Sequence, residues 1–276
     1  MKIICEKDLL VEAVSNVARA ACAKSPVPAL EGILLKAQDG QLQLTGYDLE
    51  LGIVTTIEAK TEQPGQLILS ARLLLDIIRR IPAQTVSILS DERDLATIRG
   101  GASEFTIPGL NAEEYPELPN FEQQSDLVLK QGVLKSMIDQ TLFAIATTDS
   151  KPVHTGSLFD IKDSCVTLVS VDGYRLALRR EPIVSDLTTR FIVPGKTLAE
   201  ISKLLKEEDE EAYLALSQKH IVFRIGGYYV VSRLLEGEFL DYNAAIPKVS
   251  KTTVKINTRS LTDAVERTSL LISDRL

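Results

Sequence analysis

The sequence predicts an α+β protein of tandem repeated domains, each with two helices packed on antiparallel sheets. Three observations carry that prediction. Segments with helical apolar spacing alternate with runs of Val, Ile, Thr and Tyr that change polarity at every second residue. Landmarks recur at a spacing of 124 residues: Leu9 with Val133, Asp48 with Asp172, Ile68 with Ile192 and Tyr115 with Phe239. A chain of 276 residues, 45% of them hydrophobic, has apolar side chain enough for more than one core.

The elements follow in chain order, each unit reading strand, helix, short strands, helix, more strands. "LLVEAVSNVARAA", Leu9 to Ala21, places Leu9, Leu10, Ala13, Val14, Val17, Ala18 and Ala21 on one helical face. Asp39-Gly40 marks a hairpin turn ahead of the strand QLQLTG. "SARLLLDIIRRI", Ser70 to Ile81, is the second helix, and TVSILSD and LATIRG read as strands. The second unit repeats the plan. A helix is expected from Val133 to Ala146 and another from Lys196 to Lys206, with strands at CVTLVSV, EAYLALS, HIVFRIGG and YYVVSRL. Gly226-Gly227 marks its hairpin. Linkers are expected at "LPNFEQQSD" and "IPKVSKTT", where Pro and polar residues gather. This divides the chain into domains 1–122 and 123–249, with the start of a third unit at 250–276. Ser260 to Ile272 resembles the first helix of the other units, with Leu261, Ala264, Val265 and Ile272 on one face. A lone amphipathic helix does not bury its stripe unaided, so it either docks on the preceding domain or belongs to a longer chain.

The formal charge is −7, which argues against simple wrapping of nucleic acid. Its distribution is uneven. The five expected helices hold ten basic and six acidic residues, an excess of +4 that leaves −11 for the rest of the chain. If the helices share one side, that side presents a weak positive stripe suited to non-specific phosphate contact. The run Glu207 to Glu211 reads as a solvated loop. Cys5, Cys22 and Cys165 are odd in number and far apart, and His154 and His220 are the only histidines, so neither a disulfide framework nor a metal site is expected. No cofactor is expected either. Glu6, Lys7 and Asp8 interrupt the N-terminal apolar run, and no stretch reaches the roughly 18 apolar residues of a membrane span. A soluble, cytoplasmic protein without a membrane partner is the expectation.

One stretch concentrates polar chemistry. "LVSVDGYRLALRR", Leu168 to Arg180, sets Asp172, Gly173, Tyr174 and Arg175 between apolar runs. An enzyme would need a nucleophile with a His and an acid, a glycine-rich phosphate loop or metal-ligand spacing, and none is present. Asp48 recurs in the first unit without the Tyr and Arg, which points to a turn in both.

The segments MKIICEKDLL, PVPALEGILL, LTGYDLE, YPELP, VDGYRLALRR, FIVPGKTLAEI and LEGEFLDY…IP, in this order along nearly the whole chain, resemble the bacterial sliding clamp, the beta subunit of DNA polymerase III. The resemblance implies three similar DNA-clamp domains per subunit and a head-to-tail homodimer ring. Helices would line a central hole, with sheets outside. Such a ring holds double-stranded DNA topologically and without sequence readout. It performs no reaction and raises polymerase processivity by tethering. The partners implied are the replicative polymerase alpha-type subunit, the clamp loader, repair polymerases and other motif-bearing proteins, in the bacterial cytoplasm at the nucleoid. The positions matching a partner-peptide pocket are His154, Val171, Gly173, Tyr174, Arg175 and Leu176, with Leu240, Ala244 and Ala245 nearby. His154 stands where the family usually has an aliphatic residue, Leu240 where Pro is common and Ala244 where some members have Arg. The DNA-facing positions are Lys24 and Arg72, joined by Lys151 and Lys196; Lys203, Arg79 and Arg80 are assigned from charge and helix position. At the subunit joint, Phe105 and Ile107 match an apolar edge, and Leu271 and Ile272 its complement. Most of the third domain is expected to be absent, so the 276-residue chain alone is not expected to close a ring. The rival reading is a protein-only scaffold of tandem α+β domains.

Overall fold

Strand β1 (Lys2–Glu6) runs directly into helix α1 (Lys7–Val17). Strands β2 (Gly32–Gln38), β3 (Gln41–Tyr47), β4 (Leu51–Glu58), β5 (Lys60–Gln63) and β6 (Gly65–Ser70) follow. Helix α2 (Ala71–Arg80) then leads to β7 (Thr85–Ser90), β8 (Leu95–Gly100) and β9 (Ser103–Leu110). The second repeat restarts with β10 (Asp126–Lys130) and α3 (Gln131–Asp139). It continues through β11 (Gly156–Lys162), β12 (Cys165–Val171), β13 (Leu176–Pro182) and β14 (Thr189–Pro194) to α4 (Gly195–Leu204). It closes with β15 (Glu211–Leu216), β16 (His220–Ile225) and β17 (Tyr228–Arg233). Elements β1, β2, β3, β6 and α2 recur as β10, β11, β12, β14 and α4, with both ends displaced by 124 residues. This is a computed structural model, and the residues described are 1–119, 126–148, 151–206 and 209–272. Glu207 and Glu208 of the acidic run and most of the first expected linker lie outside them.

The expected helices end short of their apolar spacing, the fourth at Leu204 and the last at Ser269 by two and three residues, the first and third by more. The first ends at Val17 and tightens into a 3-10 turn over Ala18–Ala20. The third ends at Asp139, and a separate 3-10 turn spans Leu142–Ala144. There the buried Thr141 hydroxyl donates to the Met137 carbonyl at 2.8 Å, satisfying the helix end and breaking the continuous run expected to Ala146. Both expected hairpins form: φ is positive at both central residues, 51° and 77° at Asp39-Gly40 and 50° and 85° at Gly226-Gly227.

The strands build a thirteen-stranded sheet, ordered β10-β15-β16-β17-β4-β3-β2-β6-β9-β8-β7-β1-β5, and a four-stranded sheet, ordered β13-β12-β11-β14. The two repeats are joined inside the larger sheet, where β17 lies antiparallel to β4 from Tyr228 opposite Thr55 to Ser232 opposite Leu51. On the helix side the sheets and helices share one core, with Leu10, Val14, Leu74, Ile78, Leu134, Leu198 and Ile201 fully buried. Ile68 alternates with Leu67 and Leu69 and so faces the other way, where Tyr115 packs on it. The Tyr115 hydroxyl donates to the Thr45 carbonyl at 3.1 Å, fastening the stretch after β9 to that opposite face.

Met1–Phe239 forms one compact unit and Leu240–Leu276 another. The second holds the short helix α5 (Tyr242–Ala245) and helix α6 (Thr258–Ser269), which is capped by Asn257 accepting from Ser260 N–H at 3.1 Å. No residue of α6 is buried, so the apolar stripe of Leu261 and Val265 stays open to solvent.

Candidate docking turn, helix row and strand edge

Val171 ends β12 opposite Leu176, which starts β13. Between them, one Asp172 carboxylate oxygen accepts the N–H groups of both Tyr174 and Arg175 at 3.0 Å, and the other takes Arg175 Nε at 2.8 Å. Gly173 has φ of 95°, the left-handed region that an L side chain resists. The two backbone N–H groups, followed by the Arg175 guanidinium, draw the Asp172 pKa below the usual carboxylate value. The first repeat builds the same turn: Asp48 accepts from Glu50 N–H at 3.0 Å and Leu51 N–H at 2.7 Å. The aspartate is therefore a turn former in both repeats, and the Tyr and Arg are what the second repeat adds.

Tyr174 is fully exposed at the tip of this turn. Arg175 lies over the Phe143 ring, 5.7 Å from its centroid, within cation–π reach. Phe143 is 59% exposed and was missed in the sequence reading. The signal was present, because Phe143 stands 124 positions after Arg19, an aromatic where the first repeat has a cation. Val171 is buried and Leu176 half-buried. His154 sits just before β11, whose Ser157 hydroxyl lies 2.7 Å from that of Ser170 on β12, at the same end of the sheet. It is buried, with its ring edge-on to Phe239 at 5.4 Å, and burial, then Lys151, holds its pKa below the usual histidine value. Leu240, half-buried, and Ala244 and Ala245, exposed on α5, belong to the second unit.

Among the described residues, contacts link the four α-helices of Met1–Phe239 in one order. Helix α2 packs on α1, where Arg79 donates to the Ser15 hydroxyl at 3.0 Å. Arg19, just past α1, faces Glu200 of α4 at 3.8 Å. Helix α4 packs on α3, where Ser202 donates to Asp139 at 2.7 Å. That order is α2, α1, α4, α3. All seven cations expected to face DNA are exposed. They differ in freedom. Arg80 pairs with Asp76 at 3.0 Å and Lys203 with Glu200 at 2.7 Å. Lys196 reaches back across the repeats to Asp48; its own desolvation opposes protonation, but the Asp48 carboxylate outweighs it and raises the pKa. Among the described residues Lys24, Arg72 and Lys151 carry no ion pair.

At the far side of the first repeat, β9 pairs with β8 from Ser103 to Pro108, but with β6 only at Gly109 and Leu110. One backbone edge of Ser103–Pro108 is thus open among the described residues. Phe105 lies opposite Ile98 and Ile107 opposite Ala96, so both point to the core face. Ile107 is covered there, while Phe105 is 41% exposed. Only Phe105 of the two presents apolar surface. Leu271 and Ile272, after α6, are both exposed.

Among the described residues no group of three or more His, Cys, Asp or Glu side chains is placed to hold a metal ion. Among them, too, no helix is long and apolar enough to cross a membrane. Burial pushes the Cys5 thiol up to about 12, which leaves it an inert core residue.

Residues 1–119 match the family model of the DNA polymerase III beta subunit N-terminal domain, and residues 128–241 match that of its central domain. The chain is 34% identical over 281 residues to the beta sliding clamp of Bacillus subtilis (strain 168), spanning 98% of this chain and 74% of that relative. It is 37% identical over 279 residues to the beta sliding clamp of Streptomyces coelicolor, spanning 98% and 73%. The crystal structure of the Bacillus subtilis DNA polymerase sliding clamp superposes with a TM-score of 0.96 at 34% identity, over 100% of this chain and 75% of that one. A putative DNA polymerase III beta subunit from Eubacterium rectale gives 0.95 at 34% identity, over 99% and 76%. With the repeat, the shared turn and the helix row in place, the chain belongs to the DNA polymerase III beta subunit family, the bacterial beta sliding clamps.

Proposed function

We propose that this DNA polymerase processivity clamp meets duplex DNA on the exposed side of the helix row and its protein partners at the Asp172–Arg175 turn. The observation that carries the reading is the unbroken order α2, α1, α4, α3. It gathers Arg72, Arg79, Arg80, Lys196 and Lys203 on one row of helices within an acidic chain. Lys24 and Lys151 sit in the loops that follow α1 and α3 and extend the same positive stripe. Sparse lysines and arginines that contact only phosphate give weak, sequence-blind attraction, which suits sliding. The ring then retains DNA by enclosure rather than by affinity, and the tethered polymerase works at high effective concentration. The clamp acts without catalysis of its own, in the bacterial cytoplasm at the nucleoid.

The division 1–122, 123–249 and 250–276 is supported by the recurrence of β1, β2, β3, β6 and α2 at 124 residues in the second repeat. The β17–β4 pairing inside this chain is a template for the head-to-tail joint. The open edge of β9, with Phe105 beside it and Ile107 beneath, would take a strand of the second subunit in the same way, with Leu271 and Ile272 supplying apolar cover. At the docking turn, Gly173 lets a peptide backbone approach, Leu176 and Val171 with His154 form an apolar wall, and Tyr174 and Arg175 hold the rim. The peptides come from the replicative polymerase alpha-type subunit, the clamp loader and repair polymerases.

The test is topological. Assembled and loaded by a clamp loader onto nicked circular duplex, the protein should survive a high-salt wash and leave when the circle is cut. Retention that is lost in salt and indifferent to cutting would overturn enclosure in favour of a protein-only scaffold or simple electrostatic binding.

A further inference from the structure

A cleft of about 750 Å³ opens where the two repeats meet. Its lining includes Glu50, from the turn that Asp48 builds, Lys196 at the start of α4, Arg233 at the end of β17, Leu234 and Leu235 just after it, and Pro152. Glu50 stands 124 positions before Tyr174. The cleft therefore bears on the first repeat's turn as a partner peptide would bear on the second's. Its size lies within the range that holds a few side chains, roughly 300–1,000 Å³.

The lining selects the occupant. Leu234, Leu235 and Pro152 supply apolar lining. Lys196 is already held by Asp48. Arg233 is the loose cation: among the described residues its guanidinium has one ion-pair partner, the exposed Glu236 at 3.6 Å, while its backbone N–H is fixed to the Glu50 carbonyl at 2.8 Å. A guanidinium on a fixed backbone, with one weak partner, is a ready fork for a carboxylate. Within the lining, the formal charges of Glu50 and Glu236 balance those of Lys196 and Arg233.

We propose that this junction cleft is a second peptide-docking site, taking a short extended segment with an aliphatic side chain on Leu234, Leu235 and Pro152 and a neighbouring carboxylate on Arg233. The proposal rests on the reading of the Asp172–Arg175 turn as a docking rim. The probe is the tripeptide acetyl-Asp-Leu-Leu-amide, titrated into the ¹⁵N-labelled chain and followed by amide shifts. Shifts are expected at Lys196, Arg233 and Leu235, and Arg233→Glu should weaken them at least tenfold while leaving Tyr174 to Leu176 unchanged. Arg233→Gln, which keeps most of the side chain's reach, should weaken them in the same direction and guards against a folding defect. Shifts confined to Val171–Leu176, or none at the cleft, overturn the proposal. So does a response of the cleft amides to a 20-base-pair duplex and not to the tripeptide, which assigns the cleft to nucleic acid. Cleft shifts with none at Val171–Leu176 keep the junction site and remove the docking-rim reading instead.

Discussion

Asp172 uses one carboxylate oxygen for two backbone N–H groups and the other for Arg175, so a single side chain fixes both the turn and the direction of its cation. Gly173 is the backbone requirement of the same turn. A Cβ there would meet no atom within 4 Å, so the cost of Gly173→Ala is conformational alone, about 1–2 kcal/mol from the positive φ, read by denaturant unfolding. His154 makes a pH prediction. Burial and Lys151 depress its folded pKa, so as pH falls below the ordinary histidine value the unfolded chain takes up the proton first. Stability that is full at neutral pH should decline between about pH 7 and 5. His154→Leu should flatten part of that slope in urea titrations, and His220, depressed in the same direction, should keep the remainder. The turn was legible in the sequence because Asp and Gly act on backbone next to them. Phe143 was legible only as the aromatic that stands 124 positions after Arg19; its contact with Arg175 spans 32 residues, and no local pattern encodes that.

At the scale of elements, helical spacing found all the long helices and misjudged their ends. Apolar periodicity continues past Val17 and past Asp139, but the chain departs from the α-helix where 3-10 turns and the Thr141 hydroxyl satisfy the last carbonyls. Burial separates the two faces of each helix sharply enough to predict mutational cost. Leu198 of α4 is wholly buried, so Leu198→Ala should destabilise by about 2–5 kcal/mol. Leu73 of α2 is 46% exposed on the row's outer side, so Leu73→Ala should cost only about 0.5 kcal/mol. Comparing the two by thermal and urea unfolding checks that α2 and α4 present opposite faces to core and solvent. The edge residues were legible only in part. Phe105 and Ile107 share a face by strand alternation, but the covering layer reaches Ile107 and stops short of Phe105.

At the scale of the molecule, the cations differ by what already holds them. Arg72 and Lys24 are unpaired among the described residues, whereas Arg80 and Lys203 lie in ion pairs within their own helices. Replacing Arg72 or Lys24 by Ala should each lower the salt slope of duplex binding by about 1, while Arg80→Ala and Lys203→Ala should lower it less; fluorescence anisotropy across a salt series reads both. By itself the sequence determined the 124-residue repeat, the hairpins, the aspartate turn and the excess of positive charge in the helices. These are readable because helical and strand periodicities and turn chemistry act over a few residues. Only the tertiary structure decided that β17 joins β4, that Lys196 is held by Asp48, and that Arg19 faces Glu200 where the helix pairs of the two repeats meet. Those contacts join residues more than 140 positions apart, and which strand edges and charges meet at that distance is settled by how two whole repeats bury their shared core.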